Sequence, residues 1–165
     1  MNIEINNKSL SLELLRNILT EDIAISLSKG TKEKITHSSK YVINKSEGND
    51  SIYGINTGFG NLANVKIDKS DLNKLQRNLV SSHAVGVGEL LPNKIVKLII
   101  VLKIYALAQG YSGASLVLVE RLCEFINLEL YPCIPSKGSV GASGDLAPLA
   151  HLSQALIGEG YVNYK

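Results

Sequence analysis

Pro92-Asn93-Lys94-Ile95-Val96-Lys97-Leu98-Ile99-Ile100-Val101-Leu102-Lys103-Ile104-Tyr105-Ala106-Leu107-Ala108-Gln109 is the stretch that decides the fold class. Pro92 suits a helix start, where its missing N–H is no loss. From Ile95 to Ala108 apolar side chains run almost all round the helix, interrupted only by Lys97 and Lys103. A helix without a polar face belongs in the middle of a bundle. The run is shorter than the ~20 apolar residues that span a bilayer, so no membrane partner is expected.

Working outward, Gly110 and Gly113 break the chain before a helix from Ser115 to about Leu128. Upstream, Ser70 or Asp71 can cap a helix carrying Leu72, Leu75, Leu79 and Val80 at helical spacing. A further helix places Leu12, Leu15, Ile18 and Leu19 on one face behind a cap at Ser9 or Ser11. Thr31, after Gly30, would cap a polar helix reaching Asn44, followed by the turn Glu47-Gly48-Asn49-Asp50. Residues 2–6 and Ile23 to Leu27 suit short strands. Beyond Pro132 and Pro135, the Gly-rich segment 138–144 leads into a last helix with Leu146, Leu149, Leu152 and Leu156 on one face, ending at Gly158-Glu159-Gly160. Tyr161 to Lys165 reads as the start of another element. The expectation is a mainly α fold with a few short strands near the N-terminus and around the loops. Its all-round apolar helix calls for more chain, or partner chains, to cover it.

Composition narrows the function classes. Of 165 residues, 45% are hydrophobic and 19% charged, ample apolar material for a core and too little charge for a disordered chain. The net charge is +2, and the 17 cations are spread without a dense cluster, so no nucleic-acid partner is expected. Cys123 and Cys133 make neither a disulfide framework nor a complete zinc site, and are read as small buried hydrophobes. The opening MNIEINNKSL has no basic n-region or apolar h-region, so a soluble cytoplasmic chain is expected. Glycine is the outlier: ten of its 14 copies fall within 54–88 and 138–160.

In the second window stands Gly138-Ser139-Val140-Gly141-Ala142-Ser143-Gly144-Asp145-Leu146-Ala147-Pro148-Leu149. Its glycine spacing matches neither a phosphate-binding P-loop nor a dinucleotide fingerprint, and Asp145 stands where a nucleophile elbow needs glycine. A different chemistry fits. The Gly144 amide nitrogen can attack the Ala142 carbonyl, which only an unhindered glycine permits, with the carbonyl oxygen lost as one water and the Ser143 hydroxyl as a second. The product is an imidazolone with a conjugated methylene, an electrophile made from the chain itself. In the first window, Tyr53-Gly54-Ile55-Asn56-Thr57-Gly58-Phe59-Gly60 contains a chance G-x-G-x-x-A at Gly58, Gly60 and Ala63. No helix is expected to open at Gly60, so the dinucleotide reading is set aside. A third block, Leu75 to Gly88, holds Ser82-His83.

Together these blocks resemble the aromatic amino acid ammonia-lyases, which carry a 4-methylidene-imidazol-5-one (MIO) group. The match runs through every position from Gly138 to Leu149 and covers nearly the whole chain, most weakly before Ile52. The resemblance implies that Ala142, Ser143 and Gly144 form MIO, with Asp145 and Gly60 in supporting roles and no metal or diffusible coenzyme. It implies that Tyr53 is the base removing the substrate β-proton. A phenol titrates near ~10, so such a site must favour phenolate. Ser82 and His83 fall where the family selects the substrate ring. The pair resembles the version in members acting on histidine, and an imidazole needs a hydrogen-bonding partner where a phenyl ring needs an apolar wall. The expected reaction is elimination of ammonia from L-histidine to give trans-urocanate, in a homo-tetramer. His151 fits the family pattern as a structural residue and His37 is expected to be exposed, while Tyr105 stands where a smaller polar residue such as Asn is expected.

Two other readings stay open: a phenylalanine or tyrosine lyase or aminomutase, and an inactive piece serving folding or association. Family members are much longer, so residues 1–165 are expected to be the N-terminal, MIO-bearing portion of such an enzyme.

Overall fold

The computed structural model describes residues 1–6, 10–48, 50–142 and 144–164. Ser143 of the proposed cyclising triplet, the alternative cap Ser9, Asn49 of the proposed turn and Lys165 lie outside the described residues.

The chain is mainly α. Strand β1 (Asn2–Ile5) is followed by α1 (Leu12–Thr20), β2 (Ala24–Leu27), α2 (Lys29–Ser46) and α3 (Lys69–His83). Then come β3 (Val87–Leu90), α4 (Asn93–Ala108), α5 (Leu116–Asn127), β4 (Leu130–Pro132), β5 (Pro135–Lys137), α6 (Ala147–Leu156) and β6 (Val162–Tyr164). The strands form three two-stranded ladders: β1 parallel to β2, and β3 with β5 and β4 with β6 antiparallel.

The core gathers around α4. Its buried positions, among them Val96, Ile100, Val101 and Ile104, cover one half of the helix. On the other half Ile95, Leu98 and Ile99 are only partly buried and Leu102 is exposed, so the all-round apolar run is not buried all round. Helices α1, α2 and α5 pack on it, with Ile18, Ile35, Val119, Leu122 and Ile126 buried against it. Even Lys97 is buried, its ammonium donating to the Glu21 carbonyl. Tyr105 is buried within this cluster, its aromatic ring filling volume where a smaller polar side chain was expected. Ile3, Ile5, Ile25 and Leu27 alternate inward from the β1–β2 ladder, each strand burying every second residue. The free edge of β2 is occupied by Asn127, whose amide both accepts from the Ile25 N–H at 2.7 Å and donates to its carbonyl at 3.0 Å.

Several expectations need correction. Helix α2 begins at Lys29, capped by Ser28, whose Oγ accepts from the Thr31 N–H at 3.3 Å. Thr31 lies inside the first turn because its hydroxyl, buried, donates to the Ile5 carbonyl at 3.0 Å instead of capping. Helix α3 begins one residue before Ser70, and Asp68 takes the cap position without a side-chain hydrogen bond. A single 3-10 turn, Gly60–Leu62, opens at Gly60, where no helix was expected. It is too short to present the helix N-terminus a dinucleotide needs. Cys123 is buried, and burial pushes its thiol up to about 11. Cys133 is only partly buried, with its Sγ 3.6 Å from Asn163 Oδ1. His37 is exposed, as expected. Among the described residues no helix is long and apolar enough to cross a membrane.

Candidate active site

The Tyr53 segment folds on itself around a buried asparagine. Asn56 Oδ1 accepts from the Ile52 N–H at 2.7 Å, and its Nδ2 donates to the Asp50 carbonyl at 2.9 Å. Its own carbonyl accepts from the Ile67 N–H, and the Gly58 N–H reaches the Val65 carbonyl, so residues 52–67 close into one loop. Gly54 (φ 77°) and Gly60 (φ 59°) take left-handed angles that a side chain would strain. This leaves Tyr53 exposed, its ring edge-on to Phe59 with centroids 5.8 Å apart.

His83 is the last residue of α3. Its Nδ1 lies 2.8 Å from the Leu79 carbonyl, and a carbonyl only accepts, so Nδ1 carries the proton. The Ser82 hydroxyl also donates to that carbonyl and lies 3.1 Å from the same Nδ1. In the neutral ring this leaves Nε2 as an acceptor. Glu159, beyond α6, accepts from Arg77 and from Ser81 Oγ, binding α3 to the α6 side of the molecule.

Tyr53 and His83 share a cavity of about 420 Å³. Phe59 joins Tyr53 from the loop, Leu79 and Val80 join His83 from α3, and Leu146, Leu149, Ala150 and Ser153 close it from the α6 side. A mostly apolar wall with a few polar groups suits a small organic ligand. Leu146 and Leu149, read as part of one apolar helix face, therefore serve the cavity and not the core. Leu152 of that set is buried in the core, with Leu156 packed against it. Phe59, Asn56 and Glu159 were not singled out by sequence, though Asn56 and Phe59 stand inside the Tyr53 block.

Ser82, Gly60, Ala142, Gly144 and Asp145 are not among the cavity's lining residues. Gly138 to Ala142 are exposed, and Gly144 is left-handed (φ 87°) with its N–H bonded to the Gly141 carbonyl at 3.1 Å. Asp145 closes this loop. Its Oδ1 accepts from the Ser139 N–H at 2.8 Å, from Ser139 Oγ at 3.3 Å and from the Ala147 N–H at 3.1 Å. The Ser139 amide is the foremost reason its carboxyl titrates below the ordinary carboxylate range. A Cβ at Gly138 would lie 2.0 Å from Asp145 Oδ2, so only glycine fits there. By contrast nothing lies within 4 Å of a Cβ built at Gly141 or Gly144, so no neighbouring element crowds the loop at these two positions. Among the described residues no group of three or more His, Cys, Asp or Glu is placed to hold a metal ion.

A family model described as aromatic amino acid lyase matches residues 10–165. Over 164 residues the chain is 46% identical to a histidine ammonia-lyase of Vibrio cholerae, covering 99% of this chain and 32% of that protein. It is 51% identical over 156 residues to a histidine ammonia-lyase of Legionella pneumophila, covering 94% of this chain and 31% of that protein. The chain thus spans about a third of the length of these curated relatives. Among solved structures, a tyrosine aminomutase from Streptomyces globisporus superposes with a TM-score of 0.88 at 34% identity, covering 98% of this chain and 30% of that one.

Proposed function

The chain belongs to the aromatic amino acid lyase family, and from that premise we propose that it is the N-terminal portion, residues 1–165, of a histidine ammonia-lyase. The reaction is non-oxidative elimination of ammonia from L-histidine, giving trans-urocanate. The observation that carries the substrate is His83 at the wall of the cavity that also holds Tyr53. With Nδ1 held by the Leu79 carbonyl, the neutral ring offers Nε2 as an acceptor, complementary to an imidazole N–H and useless to a phenyl ring. The identity of 46–51% to the histidine ammonia-lyases of Vibrio cholerae and Legionella pneumophila supports the same choice.

Ala142, Ser143 and Gly144 would form the MIO group, a reading supported by the exposed, uncrowded backbone at Gly141 and Gly144. When formed, the group supplies an electrophilic methylene. The chain's own residues do the rest. Asp145 grips the loop at Ser139 and Ala147, holding the segment that carries the triplet. Tyr53, standing clear on its glycine-shaped loop, takes the β-proton at its phenolic oxygen. His83, backed by Ser82, orients the substrate imidazole, while Leu146, Leu149 and Phe59 keep water from its apolar edge. The working protein is a cytoplasmic homo-tetramer that needs no metal and no diffusible coenzyme.

Incubation with L-histidine, L-tyrosine and L-phenylalanine separately, with urocanate, coumarate and cinnamate as readouts, tests the proposal. Urocanate alone is expected. Turnover of tyrosine or phenylalanine but not histidine overturns the substrate. Tyr53→Phe is expected to lower turnover by about 10²–10⁴-fold. Because the chain spans a third of its curated relatives, the competing reading is a portion without turnover of its own. Intact mass separates the two: ring formation removes the water of cyclisation and the water lost from Ser143, and Ser143→Ala keeps the latter oxygen out of the chain altogether. A full-mass chain that makes no urocanate overturns autonomous activity.

A further inference from the structure

The helix end that carries His83 does not run into a free turn. Three residues on, the Gly86 N–H donates to His151 Nε2 at 3.1 Å. A ring nitrogen that accepts holds no proton, so this imidazole is neutral, with its proton on Nδ1. Burial pushes His151 below the ordinary histidine value, which favours the same neutral form. The approach at this point is close. A Cβ at Gly86 would lie 3.1 Å from His151 Nε2 and 3.2 Å from Pro135 Cβ. The turn after α3, the first residue of β5 and the middle of α6 therefore meet here.

Two of those elements flank one loop. Strand β5 leads into the 138–146 segment and α6 leads out of it, while β3 pairs with β5 through Val87 and Lys137. His151 thus sits where the His83 end of α3 is joined to both ends of the loop that carries Ala142 and Gly144. It is not itself among the residues lining the cavity.

We propose that His151 is a positioning residue: its neutral imidazole accepts the Gly86 amide and thereby fixes His83 against the cavity. The proposal rests on the reading above, in which His83 orients the substrate ring, and adds the group that holds His83 in register. The side chain that replaces His151 must offer an acceptor at the Nε2 position. Gln supplies one through Oε1, and Leu does not.

Nitrogen-15 and proton spectra of the chain and of His151→Gln and His151→Leu test it. In the unaltered chain at neutral pH, the His151 ring is expected as the Nδ1–H tautomer. In His151→Leu the Gly86 amide should exchange about tenfold faster, the loss of one hydrogen bond, and the His83 ring signals should move. In His151→Gln both should return toward the unaltered chain. An Nε2–H tautomer overturns the proposal without any variant, so it stays testable if His151→Leu fails to fold. Unchanged Gly86 exchange and His83 signals in His151→Leu also overturn it. These readouts do not depend on turnover. A chain that shows the expected responses but makes no urocanate has no turnover of its own and still supports the positioning role.

Discussion

Helices α3 and α4 are nearly equal in length, 15 and 16 residues, and opposite in construction. Helix α4 buries eight residues along one half of its surface, where α1, α2 and α5 pack on it. Helix α3 buries none among its described side chains and packs chiefly on α6. What holds α4 is non-directional apolar burial, which grows with area and tolerates small shifts. What holds α3 is a short set of directed polar ties: Arg77 and Ser81 to Glu159, and the turn at Gly86 to His151. The scaffold helix is placed by the core. The helix that ends in His83 is placed by hydrogen bonds, which set angle and register but contribute little stability.

Truncation gives the largest contrast. Ile100, fully buried in α4, should cost about 2–5 kcal/mol as Ile100→Ala, because the cavity left there cannot collapse. Leu75, partly buried on α3, should cost only about 1 kcal/mol as Leu75→Ala. Urea denaturation of both variants checks this, and equal losses would mean that α3 is as deeply supported as α4. The next effect in size sits on a polar tie. Glu159→Gln removes the charge that Arg77 and Ser81 share, with an expected loss of about 1 kcal/mol because Arg77 is largely exposed. That loss should shrink further in high salt. A variant as stable as the parent, with α3 unmoved, would take Glu159 out of the set of ties.

The same contrast decides what was legible in the sequence. The α4 run could be read because apolar residues mark nearly every position, although the structure buries one half of the helix and leaves Leu102 exposed on the other. Ser11, one of the two caps read for α1, could be seen because capping is local, and Ser115, read as the start of its helix, caps it; both side chains accept from the N–H three residues on. Thr31 could not be told from Ser28 as a cap, since what draws its hydroxyl away is the carbonyl of Ile5, 26 residues distant. Leu146 and Leu149 have the spacing of a core face, and spacing cannot distinguish a face set against another helix from one set against a cavity. The Tyr53 and His83 blocks were each visible as motifs. That their side chains share one cavity follows from the fold of the 52–67 loop around Asn56, which read as an ordinary polar residue in a glycine-rich stretch. The His151 contact was invisible for the same reason, since its partner is a backbone N–H 65 residues away.

The 138–146 loop is the extreme of the polar construction, an exposed segment gripped by one carboxylate, and acid should release it. Asp145 titrates below the ordinary carboxylate value because the Ser139 and Ala147 amides and the Ser139 hydroxyl stabilise its charged form. A carboxyl whose folded value is depressed contributes above its ordinary value and loses that contribution as the pH falls through the depressed one. Amide exchange at Ser139 and Ala147 should therefore stay slow as the pH drops to the ordinary carboxylate value of 3.8, and accelerate only below it. Asp145→Asn should exchange faster at these two amides already at neutral pH, because a neutral acceptor makes weaker bonds than a charged one. The amides of Ile100 and Ile104, inside α4, should respond to neither change. If they accelerate together with Ser139, the loop and the core form one cooperative unit, and the division between a packed scaffold and a hydrogen-bonded site does not hold.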